Sequence, residues 1–166
     1  FVPTPEQLNF TFGGVAPVMR ITPPTALTLW TEDAYGGRIT SAADVATTAL
    51  DTEDLNPQTG PFWIEGAEPG DPLAVHLVDL TPARGWGAST VIPFFGGLTS
   101  VPASPTLQDP LPERTWIYEY DSATDTLGFS AQGSNFDLSL PANPMLGTVG
   151  VAPARRMSIW SDPQNT

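Results

Sequence analysis

Proline and glycine occur along the whole of this chain, and their spacing excludes long helices. There are 19 prolines and 15 glycines among 166 residues, and a proline inside a helix removes a hydrogen bond and clashes with the preceding turn. Between them lie short stretches of alternating apolar and polar side chains, such as TWIYEYD at residues 115–121, the pattern of half-buried strands. The sequence therefore predicts an all-β fold, a short-stranded sandwich or barrel with at most one or two short helices.

The alternating stretches predict short strands along most of the chain. Residues 41–50 are the best helical candidate, because Ser41 is a preferred N-cap residue and Asp44 follows it in the first turn. In residues 73–80, Leu73, Val75 and Leu77 fall on one face of the predicted strand and Ala74, His76, Val78 and Leu80 on the other. The predicted strands lie within residues 8–21, as two strands separated by Gly13-Gly14, and at residues 26–33, 62–64, 73–80, 89–95, 115–121, 125–131, 136–140 and 147–151.

Charge and composition exclude several classes of function. Eighteen acidic residues against six arginines, with no lysine, give a net charge of −12. Such a surface repels a phosphate backbone and an anionic membrane, so neither nucleic acid nor a membrane is a predicted partner. The chain has no cysteine, which excludes thiol nucleophiles and zinc–thiolate sites. The absence of lysine also excludes Schiff-base chemistry on this chain.

The chain is organised around residues 56–80, NPQTGPFWIEGAEPGDPLAVHLVDL. Asn56-Pro57 and Gly60-Pro61 are turn dipeptides, because proline fixes its own φ and biases the residue before it. A short strand follows at residues 62–64, and Glu65 leaves it just before Gly66. A carboxylate at the end of an apolar strand is a candidate catalytic group, since burial there would raise its pKa.

The run TGPFWIEGAEPGD, together with three further segments, resembles the acetamidase/formamidase family. The further segments are EDA followed by GG at residues 32–37, PFFGGL at residues 93–98 and NPMLGTVGVAP at residues 143–153. The resemblance implies a β-rich fold, hydrolysis of the C–N bond of a small or linear amide, and a cytoplasmic location. It also implies a divalent metal, with zinc as one candidate.

Members of that family carry a second half, with a glycine-rich motif and a histidine-containing segment, that has no counterpart here. Residues 1–166 are therefore expected to be an N-terminal half whose β fold is completed by a C-terminal half on a separate chain of the same precursor. The break after Thr166 would arise by autocatalytic processing or by nicking of an exposed loop. The alternative is a chain that has lost its second half. Residues 155–166 are expected to be a loop or a processed end, and the two-chain unit to form a homo-oligomer. The rival interpretation is a secreted, extracellular, acidic β-sandwich module that binds carbohydrate or protein without catalysis.

Three polar residues are the predicted catalytic or metal-binding groups. Glu65 would move protons as general acid or base, although a glutamate there could instead cap a turn. Asn56 offers a donor and an acceptor to an amide substrate, but an Asn before Pro often initiates a turn. Asp33 would bind the metal or orient one of its ligands. Because adjacent strand residues point to opposite faces, only one of Glu32 and Asp33 is expected to face a common cleft.

Three further residues are predicted to contact the substrate. Trp63 and Phe94 would line an apolar pocket, although core packing is the default role of such rings. Asn143 precedes a proline, as Asn56 does, and carries the same two interpretations. His76, the only histidine, is expected to be a core or interface residue and not a catalytic one.

Overall fold

The structure is a computed structural model that describes residues 1–51, 54–97, 99–101 and 107–154. Its first part contains only short elements, because turns and prolines interrupt the chain every few residues. After a 3₁₀ turn at Pro5–Gln7 come β1 (Leu8–Asn9), β2 (Met19–Ile21), helix α1 (Ala46–Ala49), β3 (Gln58–Thr59) and β4 (Phe62–Ile64). β1 pairs with β3 in antiparallel orientation, and β2 pairs with β4 in parallel orientation.

A four-stranded antiparallel sheet forms the second part. Its strands are neighbours in space in their chain order: β5 (Trp86–Val91), β6 (Arg114–Asp121), β7 (Thr126–Ser130) and β8 (Asp137–Pro141). The turn between β6 and β7 is held by Asp121, which accepts hydrogen bonds from the Ala123 N–H and the Thr124 hydroxyl. Asp125 completes the turn at φ 53°, a left-handed conformation that aspartate tolerates.

Contacts near both ends of the sheet join the first part to the second. The Thr115 hydroxyl on β6 donates to the Asp44 carbonyl at 2.8 Å, which places the turn before α1 against the sheet. At the other end, a Cβ added to Gly150 would lie 2.8 Å from the Phe12 ring. The GVAP segment therefore packs closely on the loop between β1 and β2, and a Cβ at position 150 would require the Phe12 ring to move.

The described chain buries few side chains completely. Ile39 and Ala46 are its fully buried hydrophobic residues, and Thr115 is its buried polar one. A chain of this length is able to bury a substantial core, yet many large apolar side chains of this one remain exposed, from Phe10 to Val151.

The all-β prediction is confirmed: the described residues are almost entirely strands and loops, and the sheets are open. The strands predicted at residues 62–64, 115–121, 125–131 and 136–140 correspond to β4, β6, β7 and β8. Each of these has a hydrogen-bonding partner strand within the chain. The loop or processed end predicted at residues 155–166 lies outside the described residues.

Other predicted elements are wrong or shifted. Residues 26–33, 73–80 and 147–151 contain no strand, because a strand forms only where another strand accepts and donates its backbone hydrogen bonds. The strand predicted at residues 89–95 begins three residues earlier and ends at Val91, before Pro93. The helix predicted at residues 41–50 shrinks to α1, because the Asp44 carboxylate accepts the Thr40 and Ser41 N–H groups and closes a separate turn first. No helix in the described ranges has the length and apolar character needed to cross a membrane.

Candidate active site

The first candidate site is a cluster of Arg20, Trp63 and Glu65, called the Arg20 cluster below. Arg20 on β2 and Trp63 on β4 are register partners, and Glu65 follows Trp63 at the spacing that returns a side chain to the same face. The Arg20 guanidinium lies 4.9 Å from the centre of the Trp63 ring. Its Nη1 donates to Glu65 Oε1 at 3.0 Å.

The Arg20 cluster is open to solvent. The side chains of Arg20 and Glu65 are 62% and 42% exposed, and Trp63 is 47% exposed. The burial expected for Glu65 is therefore not present within this chain. The Arg20 cluster would become an apolar pocket only if further polypeptide or a substrate covered it.

The second cluster, called the Arg84 cluster, contains Glu32, Asp33 and Arg84 between two tryptophans. Arg84 Nη2 lies 2.5 Å from Glu32 Oε1, and Arg84 Nη1 lies 2.6 Å from Asp33 Oδ2. The guanidinium is 5.6 Å from the Trp30 ring centre and 5.4 Å from that of Trp86. The Glu32 side chain is only 11% exposed and that of Arg84 27%. Ion pairs in such a partly buried place are much less screened by water than surface pairs.

The expectation that only one of Glu32 and Asp33 faces a common site is wrong. Both carboxylates bind Arg84, because residues 26–33 do not form the regular strand whose alternation would have separated them. Asp33 instead begins a turn, in which its Oδ1 accepts the N–H groups of Tyr35 at 2.8 Å and Gly37 at 3.1 Å.

The surroundings of Asp33 do not suit a metal ligand in this chain. Oδ1 already accepts two backbone hydrogen bonds, and Oδ2 pairs with Arg84, so a cation would compete with a guanidinium. No group of three or more His, Asp or Glu side chains positioned to hold a metal is found in the part of the chain that the structure describes.

Asn56 has the turn geometry that its position before Pro57 suggested. Its φ is 56°, and its N–H donates to the Ala34 carbonyl at 2.9 Å, while its own carbonyl accepts from Gln58 Nε2. This backbone bond places Asn56 beside the turn that Asp33 begins. The structure thus brings Asn56 and Asp33 together, and separately brings Trp63 and Glu65 together.

Phe94 and Asn143 belong to neither cluster. Phe94 is 56% exposed with φ 64°, in the turn that follows β5, and Asn143 is exposed after β8. No hydrogen bond, ion pair or ring contact between described residues joins either of them to Glu65 or Asp33. His76 is exposed, so the expectation of a core histidine is not met within this chain.

A groove of about 240 Å³ lies near the Asn56 turn. Of the site residues predicted from the sequence, all of which the structure describes, none lines it. Arg38 in its wall is engaged, because Nε donates to the Tyr35 carbonyl and Nη2 to the Asp54 carbonyl. The groove is lined by Pro5, Leu8, Phe10, Gly36, Arg38, Asp54 and Pro57.

Comparison with known proteins supplies the family. The family model for acetamidases and formamidases matches residues 6–163, nearly the whole chain. The chain belongs to the acetamidase/formamidase family. No curated protein matches it.

Two solved structures of acetamidases share the fold. The acetamidase from Yersinia enterocolitica is 31% identical with a TM-score of 0.63, and the match covers 82% of this chain and 40% of that one. The acetamidase from Bacillus halodurans is 25% identical with a TM-score of 0.62, and the match covers 89% of this chain and 45% of that one. This chain therefore spans less than half the length of the acetamidases it resembles.

Sequence reasoning missed the two arginines on which both clusters of this acetamidase/formamidase chain depend. A signal was available, because the six arginines are the only basic residues other than His76, against 18 acids. Each arginine in such a chain is one of few possible ion-pair partners for many carboxylates. What the sequence does not show is which of the 18 carboxylates each one meets: Arg20 and Glu65 are 45 residues apart, and Arg84 and Asp33 are 51 apart.

Proposed function

We propose that this chain is one half of an amidohydrolase that cleaves the C–N bond of a small, linear carboxylic amide. The observation that carries the proposal is the family match over residues 6–163, supported by the likeness to two acetamidases. The chain covers 40% and 45% of those two proteins, so the remaining portion of the fold is part of the proposed enzyme. A binding module without catalysis gives no reason for this match.

Within this chain, the Arg20 cluster is the part best suited to act on an amide. Hydrolysis forms a C–O bond from water and breaks the C–N bond, and one proton must pass from the water to the leaving nitrogen. We assign that transfer to Glu65, which lies at the strand end beside an aromatic face. Arg20, at 3.0 Å, would hold the carboxylate in position. Trp63 would provide an apolar wall for the substrate.

The divalent metal and the processed two-chain organisation remain proposals. Asp33 is hydrogen-bonded to Arg84 and to two backbone N–H groups. We therefore assign no metal-dependent step to this chain. Histidines of the remaining portion would supply most of the metal ligands. Asn56 and Asp33 would lie around the metal site. The separation of the two portions into two chains after Thr166 would be seen in the intact masses of the purified particle.

The test is Glu65→Gln in the complete enzyme, measured as ammonia release from acetamide and from formamide. Loss of a general acid or base is expected to lower kcat by about 100-fold. Glu68→Gln is the matched control, because Glu68 is also an exposed glutamate, three residues further along, and is expected to leave kcat unchanged. A Glu65→Gln enzyme within about threefold of the parent kcat, well short of the loss expected from a general acid or base, would refute the assignment of Glu65.

A further inference from the structure

The segment at residues 72–80 is the most apolar exposed stretch of the described chain. All of its residues except Leu80 are exposed. Val78 is 84% exposed, and Leu73, Val75 and Leu77 are each about half exposed. Contiguous apolar surface of this kind on a soluble protein marks a contact with another surface.

The backbone of this segment also has no hydrogen-bonding partner among the residues that the structure describes. Backbone hydrogen bonds of the described residues stop at the Asp71 N–H, which donates to the Glu68 carbonyl, and resume at the Gly85 carbonyl, which accepts from Tyr120. Buried backbone groups are nearly always paired, and an unpaired extended segment is a template for another strand.

The side-chain pattern indicates what kind of contact this is. In β8, Leu138 and Leu140 alternate with Asp137 and Ser139, so one face is apolar and the other polar, as in a sheet that packs on one side. Residues 73–80 instead have apolar side chains on both faces. A strand with this pattern is covered on both sides, which is typical of a strand inside a sheet between two layers.

We propose that residues 73–80 form an internal β-strand of a sheet to which the remaining portion of the acetamidase fold contributes the neighbouring strand. The source of the neighbouring strand is inferred from the two acetamidases. The matches cover 82% and 89% of this chain but only 40% and 45% of those proteins. Each of them therefore has a large portion with no counterpart here. This inference rests on membership of the family and does not depend on amide hydrolysis.

A second copy of this chain fits the segment less well. An antiparallel pairing of two copies centred on Val75 would place Asp71 of each copy opposite Asp79 of the other. Like charges directly opposite one another destabilise a strand pair. The net charge of −12 on each copy adds a long-range repulsion.

The experiment uses the native particle that contains this chain, purified through a tag on the chain. Hydrogen–deuterium exchange is expected to show amides of residues 74–80 as well protected as those of β6. His76→p-benzoylphenylalanine, irradiated in the same particle, is expected to crosslink to peptides outside residues 1–166. Rapid exchange of the segment would overturn the proposal. Crosslinks only to peptides of residues 1–166 would overturn it as well, in favour of a second copy or of another segment of the same chain.

Two charge substitutions test whether both faces of the strand are covered. Val75→Asp and Val78→Asp place a carboxylate on opposite faces, and each is expected to reduce the protection of residues 74–80 by at least about tenfold, because a buried unpaired charge is costly. Ala123→Asp, in the exposed β6–β7 turn, is the control and should change nothing. Retained protection of β6 shows that a variant is folded. An effect of only one of the two valine substitutions would refute an internal strand.

Both readouts are independent of catalysis. If residues 74–80 are protected and position 76 crosslinks outside residues 1–166, but Glu65→Gln leaves kcat unchanged, the strand is supported and the assignment of Glu65 is refuted. If Glu65→Gln lowers kcat but the amides of residues 74–80 exchange rapidly, the assignment of Glu65 is supported and the strand is refuted.

Discussion

Replacing Arg84 by methionine should be among the most damaging single changes in the described chain. Methionine keeps much of the aliphatic length of the side chain but removes the charge. Glu32 and Asp33, whose carboxylates lie 2.5 and 2.6 Å from the guanidinium, would then face each other without a cation. The contacts of the guanidinium with the rings of Trp30 and Trp86 would be lost at the same time.

The magnitude follows from the exposure of the three side chains. An exposed ion pair contributes about 0.2–1 kcal/mol, whereas removal of one partner from a fully buried pair costs about 3–5 kcal/mol. Glu32 is 11% exposed, Arg84 27% and Asp33 33%, so the Arg84 cluster lies between these limits. We expect Arg84→Met to reduce the free energy of unfolding by about 2 kcal/mol, equivalent to a fall in Tm of about 6 °C for a domain of this size.

Urea denaturation of the assembled protein measures this loss. Arg20→Met is the matched control, because its ion pair with Glu65 has side chains that are 62% and 42% exposed, and it should cost less than about 1 kcal/mol. A double-mutant cycle of Arg84→Met with Glu32→Gln isolates the pair. Equal losses for Arg84→Met and Arg20→Met, or no coupling between positions 84 and 32, would refute the argument from burial.

Two further predictions concern local structure. The N–H groups of Thr40 and Ser41 lower the pKa of Asp44, so its contribution to stability is present above the ordinary value of 3.8 and is lost as the pH falls through the lowered pKa. In Tm measurements against pH, Asp44→Asn should therefore be less stable than the parent at neutral pH, and the difference should shrink as the pH falls from 3.8 through the lowered pKa. Gly13→Ala should cost about 1–3 kcal/mol more than Gly14→Ala. Both glycines have positive φ, but of the two only Gly13 would place its Cβ against a neighbour, Ala152 Cβ at 2.5 Å. Equal Tm values for the two alanine variants would contradict this.

Strands whose partners are close in sequence were predictable. β6, β7 and β8 follow one another through short turns, so the alternating pattern and the turn residues contain most of the information. Residues 26–33 and 73–80 have equally clear strand patterns but no partner strand within residues 1–51, 54–97, 99–101 and 107–154. The reason is that local sequence does not show whether the neighbouring strand is present.

The candidate site was predictable to the same limited extent. Glu65, Trp63 and Asp33 stand out because they lie within motifs, at the ends of apolar or turn segments. Arg20 and Arg84 do not, because their role depends on which carboxylate each meets across about 50 residues of sequence. The alternation rule failed at Glu32 and Asp33, since it applies only to a regular strand.

The all-β class and the turns were predictable from the residues alone, because prolines, glycines and alternating side chains act through local backbone geometry. The family was predictable from its motifs. The folded chain was needed to show that Arg20 meets Glu65 and that Arg84 holds two adjacent carboxylates. It was also needed to show that residues 73–80 have no strand partner in the described part of the chain. These outcomes depend on contacts between distant segments, and the free energy of such contacts depends on burial, which the order of residues does not show.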